Sequence, residues 1–167
     1  PVAVYGTPGL TEFVDVGTGP IRGMCEHIGE LYVVSGDELY LVSSAGVGTL
    51  LGGGITDVNR PVSMASNGIE LCVVNGTYGF IWDSSSSAYS MIVDADFYPA
   101  NTVTFFDDYF VFDRTGTPYV FLSGLLDGTS YNSLDTATAE VQPQNVLATV
   151  NQQESLLVFS TGHSELW

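Results

Sequence analysis

The sequence predicts an all-β fold: a β-propeller built from four-stranded antiparallel blades, left incomplete within 167 residues. The first observation is a hairpin, Glu30 to Val42, in which two apolar runs flank a tight Ser35-Gly36-Asp37 turn. The second is its recurrence. Leu71 to Val74 turns through Asn75-Gly76 and returns as Phe80-Ile81-Trp82. Tyr109 to Phe112 turns through Arg114-Thr115-Gly116 and returns as Tyr119 to Leu122, and Leu156 to Phe159 turns through Thr161-Gly162 and returns as Glu165 to Trp167. The first strands begin at Leu31, Leu71, Tyr109 and Leu156, spacings of 40, 38 and 47 residues. A hairpin repeating at that period is the mark of propeller blades, none of which buries both faces of its sheet without a neighbour. The third observation is 19 glycines, which supply the positive φ that tight hairpin turns need.

The elements follow in order. Leu10 to Val16 alternates and reads as an outer strand of a blade completed elsewhere, or of the closing blade, before Gly17-Thr18-Gly19-Pro20 breaks it. The first blade spans about 20–52: an opening strand with Arg22, Glu26 and His27, the hairpin, and Thr49-Leu50-Leu51 as its fourth strand. The second spans about 60–93, opening at Val62-Ser63-Met64-Ala65, turning at Asn67-Gly68 and ending at Tyr89 to Ile92. The third spans about 100–132, with a turn at Asp107-Asp108, and Ser133 to Val141 reads as the one short helix. The fourth covers 144–167 and stops on its third strand, so the chain reads as a single propeller region, 1–167, belonging to a longer protein. No apolar run approaches the roughly 18 residues of a membrane span, and no basic, apolar leader opens the chain, so no signal peptide is expected.

Charge narrows the function classes. Lysine is absent, the cations are Arg22, Arg60 and Arg114, and the net charge is −16. Such a surface cannot neutralise nucleic-acid phosphates or lie on an anionic membrane. Its acidity serves solubility, or it lines a passage along which nucleic acid slides without sticking; charge alone leaves both open. Cys25 and Cys72 sit at non-equivalent points of successive repeats and read as free thiols in a reducing compartment.

No catalytic, cofactor-binding or metal-binding motif is present: there is no nucleophile elbow, phosphate loop or His-Glu-x-x-His. His27 and His163, with no cysteine cluster near them, read as exposed or hydrogen-bonded histidines rather than ligands. The pairs Asp94/Asp96 and Asp107/Asp108 read as turn residues, although two carboxyls about 5 to 9 Å apart would suit a glycosidase. The aromatics Tyr32, Tyr40, Tyr109, Phe110, Phe112 and Tyr119 recur at strand positions, as core residues do.

Six phrases fall in one order along nearly the whole chain: Gly19 to Met24; Val62 to Gly68; Val103-Thr104-Phe105 with Tyr109 to Phe112; Leu126 to Ser130; Ala137 to Glu140 with Pro143; and Thr161 to Trp167. Together they resemble the packaged-DNA stabilisation proteins, the tail accessory or hub proteins of short-tailed bacteriophages. Asp108 stands where that family often has Gly, and Tyr131 where it often has Trp. The resemblance implies a structural virion protein and no enzyme, assembled in the host cytoplasm. It implies a ring, a hexamer, of copies below the portal and its adaptor. That ring extends the DNA channel, retains the packaged genome and presents surfaces to tail fibres, spikes or a needle, while DNA passes without specific binding. A carbohydrate-binding or carbohydrate-cleaving propeller is the second reading, and a generic repeat scaffold the third.

Overall fold

The computed structural model describes residue 9, residues 11–139 and residues 144–167. The first blade contains β1 (Ile21–His27), β2 (Glu30–Ser35), β3 (Glu38–Val42) and β4 (Gly48–Gly53), paired in that order. The second contains β5 (Ser63–Ser66), β6 (Glu70–Val74), β7 (Gly79–Asp83) and β8 (Ala88–Met91). The third contains β9 (Val103–Phe106), β10 (Tyr109–Asp113), β11 (Tyr119–Gly124) and β12 (Asp127–Thr138). The fourth has three strands, β13 (Val146–Gln152), β14 (Ser155–Ser160) and β15 (Ser164–Leu166). Every pairing is antiparallel.

The first strands stand side by side as an inner row, β1 to β5 to β9 to β13. The Val62 N–H donates to Arg22 O at 3.2 Å, and the Val103 N–H to Ser63 Oγ at 3.0 Å. On the next step Thr149 and Asn151 donate backbone N–H groups to Thr102 Oγ1 and Thr104 Oγ1, each at 3.1 Å. Three apolar layers fill the spaces between blades. Tyr32, Val34, Leu39, Leu71, Val73 and Phe80 pack between the first and second blades. Cys72, Val74, Phe110, Phe112, Phe121 and Tyr131 pack between the second and third, and Val111, Val120, Leu156 and Val158 between the third and fourth.

Burial along the second strands follows from this stacking. In β6 and β10 four consecutive residues are buried, because a neighbouring blade covers each face. In β14 only Leu156 and Val158 are buried, because the third blade covers one face alone. Val150, Phe159 and Leu166 therefore stay exposed on the far side. The far side of the first blade is partly covered instead by the segment before β1: Val16 packs on Val33 and Val42. Residues 11–16, read from the sequence as part of an outer strand, join no sheet; their alternation serves that packing. At Gly19 the backbone passes so close to Gly36 that a Cβ would lie 2.3 Å from its Cα, and the Gly36 N–H donates to Pro20 O at 2.9 Å.

A polar tie ends the second strand of each blade. Ser35 Oγ donates to Gly19 O at 3.0 Å, and Asn75 Nδ2 to Thr56 O at 3.0 Å. The Asp113 carboxylate accepts from the Thr102 N–H at 2.5 Å and from Asn101 Nδ2 at 2.9 Å. In the fourth blade the Thr161 N–H donates to Asn145 O at 3.1 Å. In each case the tie holds the segment that leads into the same blade, so strand entry and hairpin turn are fixed together. Ser35, Asn75 and Asp113 are buried, and burial pushes the Asp113 carboxyl above its usual range against the pull of its donors.

The short helix expected over Ser133 to Val141 is not formed in its described part, 133–139. There β12 continues to Thr138, with Ala137 paired to Val120 and Thr136 to Phe121. Five steps along β12, Tyr131 to Thr136, oppose two along β11, Phe121 to Ser123, so the strand bulges outward around an Asn132–Leu134 turn. Alternating threonines and a free ladder on β11 outweigh the weak helical propensity of so short a run.

Candidate functional site

The two histidines belong to different blades. His27 closes β1 and is fully buried, so of the exposed and hydrogen-bonded roles expected for it the structure has the second; its Nδ1 lies 2.6 Å from Ser66 Oγ, and its ring meets Tyr32 edge-on at 5.1 Å. Ser66 Oγ also accepts the Gly68 N–H, so the hydroxyl ties the His27 ring to the β5–β6 turn. The other ring nitrogen, Nε2, is buried without a hydrogen-bond partner. Burial holds the His27 pKa below its usual 6.5, opposed by the Glu26 charge. A base with a depressed folded pKa gives stability that is present above its unfolded pKa and lost as pH falls below it. Urea unfolding midpoints are expected to fall from pH 7.5 to pH 5.5, and a His27→Gln variant to flatten that slope; an unchanged slope would refute the assignment. Glu70 and Asp113, whose carboxyls burial pushes up, act in the opposite direction at lower pH. His163 Nε2 pairs with Glu165 Oε1 at 2.9 Å, and Glu165 Oε2 accepts from Trp167 Nε1 at 2.9 Å.

The paired aspartates do turn chemistry. Asp94 Oδ1 accepts the Asp96 N–H at 2.8 Å, and Asp94 Oδ2 the Tyr131 N–H at 3.2 Å. Asp107 and Asp108 are the two central residues of the β9–β10 hairpin, at φ 50° and 67°, as a type I′ turn requires. Asp suits that conformation, since it tolerates the left-handed region. Asp83, bound by the hydroxyls of Ser86 and Ser85, is held down at about 2. Among the described residues no group of three or more His, Cys, Asp or Glu is placed to hold a metal ion. Cys25 and Cys72 are both free thiols, and burial raises both pKa values.

The cations are all engaged. Arg22 is only 7 % exposed and donates to four backbone carbonyls: Ile55 O at 2.5 Å, Gly36 O and Arg60 O at 2.7 Å, and Thr56 O at 3.0 Å. Arg60 lies 3.7 Å from the Asp57 carboxylate and donates to Asn101 Oδ1 at 3.2 Å. The Arg114 guanidinium sits 3.8 Å over the Tyr98 ring. A sequence without lysine hinted at this scarcity, but nothing in the pattern marked Arg22 as buried.

A cavity of about 250 Å3 opens between the third and fourth blades, lined by Val111, Val120, Leu122, Leu156 and Trp167, with Asp107 its one carboxylate. Of the strand aromatics, Tyr32, Phe110 and Phe112 are buried, while Tyr40 directs its hydroxyl to Glu38 and Tyr119 is exposed. The geometry thus gathers interfaces and turn ties, and no convergent set of acid, base and nucleophile among the described residues.

Comparisons with known proteins come to bear on this geometry. The family model described as bacteriophage P22 Gp10, β-propeller, matches residues 3–165. No curated protein matches the sequence. Among solved structures, the computationally designed Ika4 protein is 11% identical with a TM-score of 0.66, over 95% of this chain and 98% of that one. The designed Ika8 protein is 11% identical with a TM-score of 0.63, over 93% of this chain and 48% of that one. The Neurospora crassa Pan2 WD40 domain is 10% identical with a TM-score of 0.57, over 83% of this chain and 41% of that one. The chain thus spans about half or less of the Ika8 and Pan2 chains, and these likenesses show the propeller fold alone.

Proposed function

Because the chain belongs to the phage packaged-DNA stabilisation family, we propose that it is a structural subunit in the tail of a short-tailed phage. Copies assemble in the host cytoplasm into a ring, a hexamer in this reading, on the adaptor below the portal. The ring continues the DNA channel, helps retain the packaged genome and anchors fibres, spikes or a needle. The observation that carries this reading is the family match across residues 3–165. The charge supports it. With a net charge of −16, no lysine and Arg22 buried on backbone carbonyls, the chain offers DNA phosphates little positive charge, so DNA can pass without adhering. Among the described residues no helix is long and apolar enough to cross a membrane.

A catalytic role is not assigned. Sugar cleavage needs two carboxylates facing one cleft; the apolar cavity between the third and fourth blades offers Asp107 alone, but Asp107, Asp108 and Glu154 line an open cleft beside it, so that second reading is decided by the test. The test is mass by light scattering, with and without the portal adaptor. A ring, or a ring formed only on the adaptor, is the expected result. A monomer that ignores the adaptor at micromolar concentration would overturn the reading and favour a screen for sugar binding.

A further inference from the structure

In an antiparallel meander the first-to-second and third-to-fourth turns emerge at one end of the blade, and the remaining connections at the other. The inner strands run side by side in one direction, so the turns of all blades gather at a common end. That end carries exposed apolar tips: Ile28 (54 % exposed) and Val47 on the first blade, Ile69 on the second, Leu125 and Leu126 (50 % exposed) on the third. Glu26, Glu30, Asp107, Asp108 and Glu154 lie among them, all exposed. The arginines belong to the opposite end: Arg22 opens β1, Arg60 lies between β4 and β5, and Arg114 between β10 and β11.

Folding does not account for two of these tips. Ile28 and Gly29 form a two-residue turn at φ 48° and 81°, and Leu126 sits at φ 53° in the β11–β12 turn. The left-handed region is costly for a branched side chain, and such turns favour Asn or Gly at these positions. Ile28 and Leu126 thus combine a strained backbone with a side chain in solvent.

We propose that this end of the blades docks a protein surface that is basic and carries apolar side chains. The apolar tips would be buried by the partner, and the surrounding carboxylates would select its charge and speed encounter. A second copy fits less well, because a chain with a net charge of −16 and no lysine has no basic surface to bring to the contact. Anionic membranes and nucleic acid are repelled for the same reason. The inference rests on the reading of the chain as an assembly subunit and names the chemistry of one contact.

The test uses three synthetic 18-residue peptides as probes: an amphipathic Leu/Lys helix, its Leu/Glu counterpart, and a Ser/Lys peptide of equal charge. Titration calorimetry in 50 and 150 mM salt is expected to show the Leu/Lys peptide binding most tightly and the Leu/Glu peptide not at all. The double variant Ile28→Asn with Leu126→Asn keeps side chains suited to both turns. It is expected to weaken the Leu/Lys peptide about tenfold or more, as losing two buried apolar contacts should, with Tm unchanged or raised. Val58→Asn, an exposed apolar position at the opposite end, should leave binding unchanged. The inference fails if the native protein ignores the Leu/Lys peptide, if the double variant binds it equally well, or if Val58→Asn weakens it as much. Concentration-dependent dimers lost in the double variant would name a second copy as occupant and also overturn it. Ring formation on the adaptor is read separately by light scattering, so the two readings can fail independently.

Discussion

Replacing Arg22 by Met is expected to lower stability by about 3–4 kcal/mol, as measured by equilibrium urea unfolding. The guanidinium is planar and always charged, and its donors meet carbonyls from two separate connections: Gly36 in the β2–β3 turn, and Ile55, Thr56 and Arg60 in the link between the first two blades. Burial pulls its pKa below the usual arginine value, while the charges of Asp57 and Asp37 pull the other way. Methionine preserves the packing of the stem, so the loss reports the carbonyls left without a donor inside the fold. Lysine presents one point charge and cannot reach all four oxygens, so Arg22→Lys should recover about half of the loss. A Met variant within about 1 kcal/mol of the native protein would mean that water replaces the guanidinium at this junction.

Which parts of this architecture were legible in the sequence depends on where each signal was local. The hairpins at Leu31, Leu71, Tyr109 and Leu156 were legible because apolar runs and turn residues sit next to each other in the chain. The Ile28-Gly29 turn was not, because an isoleucine at positive φ is the reverse of a turn signal. The continuation of β12 was also hidden: Ser133 to Thr138 carries no strong preference, and its strand state comes from pairing with β11. Long-range ties such as Arg22 to Ile55 and His27 to Ser66 join residues 33 and 39 positions apart and leave no local pattern. The engaged arginines were invisible for that reason, although the absence of lysine was plain.

The placement of the acids also refines the channel argument. Of the four inner strands only β1 carries a carboxylate, Glu26, so the inner row of this propeller is not an acidic wall. The other acids are divided between later strands of the blades, as Glu70, Asp127 and Asp135 are, and the turns and connections, as Asp37, Asp94 and Asp108 are, so a negative passage in the proposed ring would be lined by those elements. Charge-neutral variants at one end and then the other, scored for DNA retention in assembled particles, would separate the end that faces DNA from the end that meets protein.

Phe112→Ala is expected to cost about 4 kcal/mol, the other large loss in this chain. Phe112 is fully buried, stacks on Phe121 with centroids 4.9 Å apart, and meets Phe97 edge-on at 5.7 Å and Tyr131 at 5.9 Å. Phe97 comes from the link between β8 and β9, so the ring joins that link to the third blade. Truncation leaves a cavity that rigid strands cannot close, while Phe112→Leu should cost about 1–2 kcal/mol because most of the volume is kept. In a stacked array each blade is stabilised chiefly by its neighbours, so the damage should be local. Hydrogen exchange is expected to speed up most in β10 and β11, less in β6 and least in β2 and β3. Uniform acceleration across all blades would instead show that the four sheets unfold as one cooperative unit, with the Phe112 layer holding the whole arc.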